Sequence, residues 1–458
     1  MLRCRFVALG VALALIATAA AAQDYFVAPD GNDANPGTLE KPKKNAVKAA
    51  KLLKAGDTLY FRKGTYRCRT NGIVGLAPSR HGEEGKPITF KNYNNEHVKI
   101  DVANTDWGFT SNGFSYIVID GFEVTGGGRN FNMKIASNHG GGTRGCGHHV
   151  TIRNCDVHGA KMVNIFAFGT KYLTVENCHL HHSRRSHGIY LSAGCHNSVI
   201  RNVTSEHNHG NSGLQINAAG NGTKNVLVEK CILRYNAHGF SLMSAIDCIF
   251  RNNIVFNDGY DGPRGSGWRE IIMYTYGKNK KTGKPMPTEG LLFENNTFVN
   301  LVPKGHKLSN LVRSKSGSRN CKFRNNIFVV RGKPIFTLES YTGFSFENNC
   351  LFNIKGGGQV KGGGNLADFC KAKKLTESGT ITKDPMFVDI KNGDLRLKEG
   401  SPCIDAGVDA PSEVTAGGAE VSPKVKVGGK ARDIGAYENG VDFQMGCKLP
   451  WKKDSGSK

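Results

Sequence analysis

The sequence predicts an all-β right-handed parallel β-helix with a helical cap at its N-terminal end and an irregular cap at its C-terminal end. Three observations predict it: an internal repeat near 23 residues, short alternating strands, and Gly and Asn where those strands end. The repeated phrase runs Val150-Thr-Ile-Arg-Asn-Cys155, Leu173-Thr-Val-Glu-Asn-Cys178, Ser198-Val-Ile-Arg-Asn-Val203 and Leu227-Val-Glu-Lys-Cys231. It continues as Ile249-Phe-Arg-Asn-Asn253, Leu292-Phe-Glu-Asn-Asn296, Lys322-Phe-Arg-Asn-Asn326 and Ser345-Phe-Glu-Asn-Asn349. Counted on the Asn or its equivalent, the steps are 23, 25, 28, 22, 43, 30 and 23 residues. An earlier coil opens at Tyr116-Ile-Val-Ile-Asp-Gly121. Leucine-rich repeats share this period, but their Leu-x-x-Leu-x-Leu signature is missing.

Each part of the chain then takes its place in order. Arg3 and Arg5 precede the apolar run Phe6 to Ala19 and the small residues Ala20-Ala21-Ala22, so residues 1–22 read as a secretory leader. No later segment reaches the ~20 apolar residues of a membrane span. The product is expected to be secreted or periplasmic. Residues 23–111 read as an N-terminal cap with the first coils, 112–350 as the coils carrying a groove, and 351–458 as a C-terminal cap with a basic tail. Within the first part, Pro42 to Ala55 has helical spacing, with Ala46, Ala49, Ala50, Leu52 and Leu53 apolar. The 43-residue step carries a basic loop, Gly277 to Gly290, and insertions in solenoids often gather on the binding face.

The recurring Asn154, Asn177, Asn202, Asn252, Asn295, Asn325 and Asn348 suit turns, because Asn tolerates left-handed angles and its amide can bond the Asn one coil above. That chemistry explains them without a functional role. The cysteines follow the same logic. Cys155, Cys178 and Cys231 share one slot and Cys248 and Cys321 another, as buried thiols would, leaving bridges open only among Cys350, Cys370, Cys403 and Cys447.

The ends of the chain resemble a known family. Tyr25-Phe-Val-Ala-Pro-Asp-Gly-Asn-Asp-Ala-Asn-Pro-Gly-Thr38, Ala55-Gly-Asp-Thr-Leu-Tyr-Phe61 and Gly64-Thr-Tyr66 resemble the opening of secreted bacterial β-helix proteins. Lys383-Asp-Pro-Met-Phe-Val-Asp389, Gly400-Ser-Pro-Cys-Ile-Asp-Ala-Gly407 and Asp433-Ile-Gly-Ala-Tyr-Glu438 resemble their ending. The resemblance is to the pectate-lyase-like superfamily, and it implies the fold. That superfamily holds polysaccharide lyases of families six, nine and thirty-one, uronan C5-epimerases and glycoside hydrolases. The chain lacks an Asp-Pro-His-Glu epimerase motif and the polygalacturonase pattern. Where family-nine lyases offer Gly-Phe-Lys-Leu, it reads Gly213-Leu-Gln-Ile-Asn217 and Gly239-Phe-Ser-Leu-Met243, so that family's base lysine is absent from those slots.

The formal charge of +23 favours a polyanionic partner. Export points to an acidic glycan rather than nucleic acid: a uronate polymer such as alginate, pectate or a glycosaminoglycan, bound by a monomer. Alternation along the strands places candidate residues outward. Ile189 and Leu191 go in, while His187, Tyr190 and Ser192 go out; Gln215 and Asn217 follow on the next coil, then His238, Ser241 and Met243. Stepping back puts Ala167 beneath Tyr190 and Lys134 beneath Ala167; stepping forward brings Arg313 and Lys315 to the same face. The turns entering these strands carry Lys161, Arg184-Arg185, His207-Asn-His209, Arg234-Tyr235, Arg264 and Trp268-Arg269.

Uronate β-elimination needs a carboxylate neutraliser, a base for the C5 proton and an acid for the leaving oxygen. Arg185, Arg234, Gln215 and Asn217 are candidate neutralisers, with His238, Arg269 and Tyr235 completing the binding surface. His187, His209 or Lys134 is the candidate base. Tyr190 is the candidate acid, or the base if a neighbouring Arg lowers its pKa. The competing readings are a glycoside hydrolase, a uronan epimerase and a non-catalytic adhesin. A hydrolase needs two facing carboxylates, and Glu206, Asp258, Asp261 and Glu270 form no obvious pair; the same acids are the candidates for Ca²⁺. Twelve of fifteen histidines lie between His139 and His238, which raises zinc, but His179, His181, His182 and His187 match no recognised ligand spacing and consecutive positions point apart.

Overall fold

In the computed structural model the residues described are 21–67, 76–103, 105–127, 130–136, 147–217, 222–257, 269–278, 282–302, 310–409, 429–439, 445–450 and 452, with the side chain of Arg269 excepted. The expected leader, residues 1–22, lies almost wholly outside them. So do Asp258, Asp261, Arg264 and Trp268.

The chain winds as a parallel β-helix. One coil shows the pattern: Val163–Phe168, a tight turn, Lys171–Glu176, an Asn turn, His179–His181, then a longer turn into Ile189–Ser192, which pairs in parallel with Val163–Phe168. Repetition builds three long sheets, of thirteen, eleven and nine strands. We call them the back sheet, the histidine sheet and the groove sheet, in the order represented by Lys171–Glu176, His179–His181 and Val163–Phe168. A short four-stranded sheet, Thr223–Lys224 to Ser318–Arg319, lines the corner between groove and back sheets. The basic loop leaves the Tyr274 end of the groove sheet beside that corner, where Met286 N–H bonds Gly277 and Thr288 Oγ1 bonds the Tyr274 carbonyl.

The core consists of stacked columns, because like residues recur at each coil and strands lie ~4.8 Å apart. Phe250, Phe293, Phe323 and Phe346 stack with centroids 4.9, 4.9 and 5.3 Å apart. Each fully buried ring of this kind contributes about 1.5–3 kcal/mol. Cys155, Cys178, Cys231, Cys248 and Cys321 are buried free thiols as expected. The bridges left open among Cys350, Cys370, Cys403 and Cys447 do not form; all four are thiols.

The repeated Asn residues take left-handed angles, from φ 48° at Asn348 to 54° at Asn154. Their mutual bonding is partial: Asn177 donates to Asn154 (2.6 Å) and Asn325 to Asn295 (3.5 Å). The unbroken ladder runs one residue later and inside. Asn253 donates to Asn296, Asn296 to Asn326 and Asn326 to Asn349, at 2.9, 2.9 and 3.0 Å. A second buried ladder, Asn132–Asn164–Asn208–Asn236, seals the corner between histidine and groove sheets.

Both caps differ from expectation in extent. The N-terminal helix is Ala46–Ala50, capped by the Asn45 side chain, and it buries Ala49 and Ala50. It stops short of Ala55 because the following turn runs through Gly56 at φ 91°, and Leu52 stays exposed. The C-terminal region contains a helix, Leu366–Lys373, capped by Asn365 and ended by Lys374 in the left-handed region. Beyond it the chain does more than close the end. It folds back along the histidine sheet, where Phe387, Leu395, Cys403 and Ile434 pack on Phe256, Val299 and Val329. Further on, Gly446 N–H bonds Lys230, Lys448 N–H bonds Asn177 and Lys452 Nζ reaches Asp156 at 2.5 Å.

Candidate active site

On the groove sheet, register decides which side chains meet. Lys134, Phe166, Tyr190, Gln215, Ser241, Ile272 and Arg313 form one outward column. Ser192, Asn217, Met243 and Tyr274 form the next, with Phe168 beneath Ser192. The expected place of Ala167 is therefore wrong by one residue. Ala167 pairs with Leu191 and Ile135 and points into the core; Phe166 stands between Tyr190 and Lys134. A one-residue slip moves a side chain to the other face, and the Gly169 turn hid the count.

Tyr190 stands at the centre. Asn217 Nδ2 donates to its hydroxyl at 3.0 Å, Phe166 meets its ring edge-on at 5.3 Å, and the His187 ring lies 5.2 Å away. Strict alternation from Ile189 would turn His187 inward. It joins Tyr190 because the strand begins only at Ile189, after a close crossing at Gly188 where an added Cβ would lie 2.2 Å from Ser205 Oγ. Gln215 lies above Tyr190, with its Nε2 4.0 Å from Met243 Sδ and its buried Oε1 without a hydrogen-bond partner. Tyr274 hydroxyl reaches the same sulfur at 3.0 Å, and Lys315 Nζ sits 5.8 Å from the Tyr274 ring centroid.

His187 cannot be the base in this arrangement. Burial lowers its pKa to about 3, so it is neutral at neutral pH. Its Nδ1 accepts the Ser212 N–H at 3.2 Å, which puts the ring proton on Nε2 and makes His187 a donor. Lys134 is covered, its ammonium 4.3 Å from the Trp107 ring centroid, and burial lowers its pKa. It stands two coils from Tyr190, about 9.6 Å along the stack.

Other expected members are dispersed. Arg185 is exposed in the turn leading to His187 and has no carboxylate partner among the described residues. His238 pairs in register with Ser212 and with the backbone of Arg269, at the corner beside His187. Arg234, Tyr235 and His209 belong elsewhere. Arg234 lies on the histidine sheet, where its guanidinium binds Glu206, so it is not a groove neutraliser. Tyr235 packs against His207 at 4.9 Å beneath Arg234, and His209 meets the His182 ring edge-on at 5.9 Å. All three sit at the histidine-sheet end of their turns because alternation places residue 234 outward on that sheet, before the corner. Phe166, Tyr274 and Trp107 are the groove residues that sequence reading missed; correct register would have found the first two.

Of the candidate acids, Glu206 and Glu270 lie among the described residues, and they do not face each other. Glu206 is held by His179 and Arg234, and Glu270 is buried at the corner with Asn300 Nδ2 donating to it at 2.9 Å. Neither contributes to an oxygen-rich Ca²⁺ site among the described residues. Burial raises the Glu270 pKa to about 8. A group protonated in the folded state but ionised when unfolded stabilises the fold below its unfolded pKa and loses that contribution as pH climbs to about 8. The native chain should therefore lose Tm between pH 5 and 8 in thermal melts, and Glu270→Gln should lack that loss; equal slopes would contradict the assignment. Elsewhere, on the back sheet, a cavity of about 440 Å³ is lined by Glu83, Glu84, Tyr116, His149 and Tyr172.

The fold is a right-handed parallel β-helix, and the comparisons agree with it. The family described as "Pel9A-like, right handed beta helix region" matches residues 25–144, and the right-handed β-helix region family matches 98–262. Among curated proteins, the chain is 42% identical over 88 residues to the uncharacterized protein YwoF of Bacillus subtilis. It is 34% identical over 80 residues to the pectate lyase PEL9 of Emericella nidulans; each match spans 18% of this chain and 18% of the relative. The crystal structure of pectate lyase Pel9A superposes with a TM-score of 0.58 at 16% identity, covering 91% of this chain and 96% of that one.

Proposed function

We propose that the protein is an exported polysaccharide lyase that cleaves a uronic-acid-containing polymer by β-elimination on the groove sheet. The observation that carries this reading is the Tyr190 hydroxyl, held by Asn217 and flanked by the neutral donor His187, with Arg185 unpaired in the adjoining turn. Arg185 and the amides of Gln215 and Asn217 draw charge from the substrate carboxylate, which acidifies the C5 proton. His187 Nε2–H adds a donor to that carboxylate. Tyr190 serves both halves of the elimination: its oxygen accepts the C5 proton as the C5–H bond breaks, and the same proton is returned to O4 as the C4–O4 bond breaks and the C4–C5 double bond forms. Phe166, one coil below Tyr190, and Tyr274, three coils above it, add aromatic surface along the same groove sheet for neighbouring sugar rings.

A hydrolase is less well supported, because apart from buried Glu270 the outward columns from Lys134 to Tyr274 carry no carboxylate among the described residues. Incubation with alginate, pectate, hyaluronan and chondroitin is expected to yield ultraviolet-absorbing unsaturated uronate from one of them. New reducing ends without that absorbance would show hydrolysis instead, and binding without depolymerisation would show an adhesin.

A further inference from the structure

We infer that the histidine sheet, away from the proposed groove chemistry, carries a divalent transition-metal site made by Asp156, His179 and His181. His179 and His181 are two residues apart on one strand and so share its outward face, where their rings lie 4.2 Å apart. The expectation that these histidines point apart fails for this pair. Asp156 sits one coil below in direct register with His179, and its Oδ1 lies 2.9 Å from His181 Nε2 and 3.6 Å from His179 Nδ1. The three ligand atoms all lie within 4.8 Å of one another. Tetrahedral ligands about 2.1 Å from an ion stand about 3.4 Å apart, so shifts of a few tenths of an ångström complete the shell.

The surrounding groups fix each ligand in the form a metal requires. His179 presents Nδ1 because its Nε2 is bonded to Glu206 at 2.8 Å, and Glu206 is held in turn by Arg234. His181 presents Nε2 because its Nδ1 is bonded to His182 Nδ1 at 2.6 Å. Carboxylates or other partners behind ligating histidines are the usual supports of such sites. Lys452 takes the second Asp156 oxygen, so the returning C-terminal segment closes over the third ligand. Two imidazoles and one carboxylate suit zinc, cobalt or nickel rather than calcium. The histidine faces remain partly open, which leaves an approach for the ion and a position for water.

Calorimetric titration of the untagged, chelator-treated chain with Zn²⁺ should show one tight equivalent, and Co²⁺ should give the intense visible absorption of a four-coordinate ion. Glu206→Gln should weaken binding roughly 10–100-fold by removing the support behind His179. His148→Gln, which alters a histidine pair on the back sheet, should leave it unchanged. Zinc-edge anomalous diffraction from soaked native crystals tests the position without any variant and should place the ion among Asp156, His179 and His181. Absence of a tight equivalent, or an ion located at other histidines, would overturn the site.

Discussion

Tyr190→Phe should lower turnover by about 10²–10⁴-fold, the range for loss of a positioned proton-transfer group, while leaving polymer binding and Tm nearly unchanged. The ring is retained, so its edge contacts with Phe166 and His187 survive, and only the hydroxyl held by Asn217 is lost. The effect should fall on kcat rather than KM. Phe at this position with native kcat would remove Tyr190 from the chemistry.

The largest expected loss of stability comes from Asn296→Leu, a substitution of similar volume inside the ladder. Asn296 Oδ1 accepts from the Asn253 amide and backbone, at 2.9 and 3.0 Å, while its Nδ2 donates to the Phe250 carbonyl and to Asn326, at 2.8 and 2.9 Å. Leucine would take the side-chain partner from the Asn253 backbone N–H and the Phe250 carbonyl, at about 1–3 kcal/mol each, while Asn253 Nδ2 keeps the Val228 carbonyl and Asn326 Oδ1 keeps the backbone N–H of position 296. Unfolding stability should fall by roughly 2 kcal/mol or more on that basis. Urea titration checks it; a loss below about 1 kcal/mol would mean that the corner relaxes enough to admit water.

The period and the turn residues made the coil legible in the sequence, because each repeated Asn does occupy the left-handed turn that its chemistry allows. The neighbouring ladder was harder to see. Asn253, Asn296, Asn326 and Asn349 occupy the slot that holds cysteine in earlier coils, and a polar residue in an apolar slot announces itself only when its partners one coil away are known. Tyr190, Gln215 and Asn217 could be aligned because their strands alternate cleanly. Residues in turns could not. Arg185 and Arg234 hold similar offsets from the next groove strand, yet one is exposed in its turn and the other is bound to Glu206, since the strand before the second turn extends to residue 234. The return of the tail across the histidine sheet left no periodic trace at all. Its anchors are single residues, Gly446, Lys448 and Lys452, meeting coils more than 200 positions earlier.

A crystal structure of Tyr190→Phe bound to an oligosaccharide of whichever uronate polymer is cleaved would locate the chemistry directly. The expected density lies along the outward columns of the groove sheet, with a sugar carboxylate near Arg185, His187 and Gln215 and the scissile oxygen facing position 190. Sugar bound instead in the back-sheet cavity between Tyr116 and Tyr172, with the groove sheet bare, would contradict it.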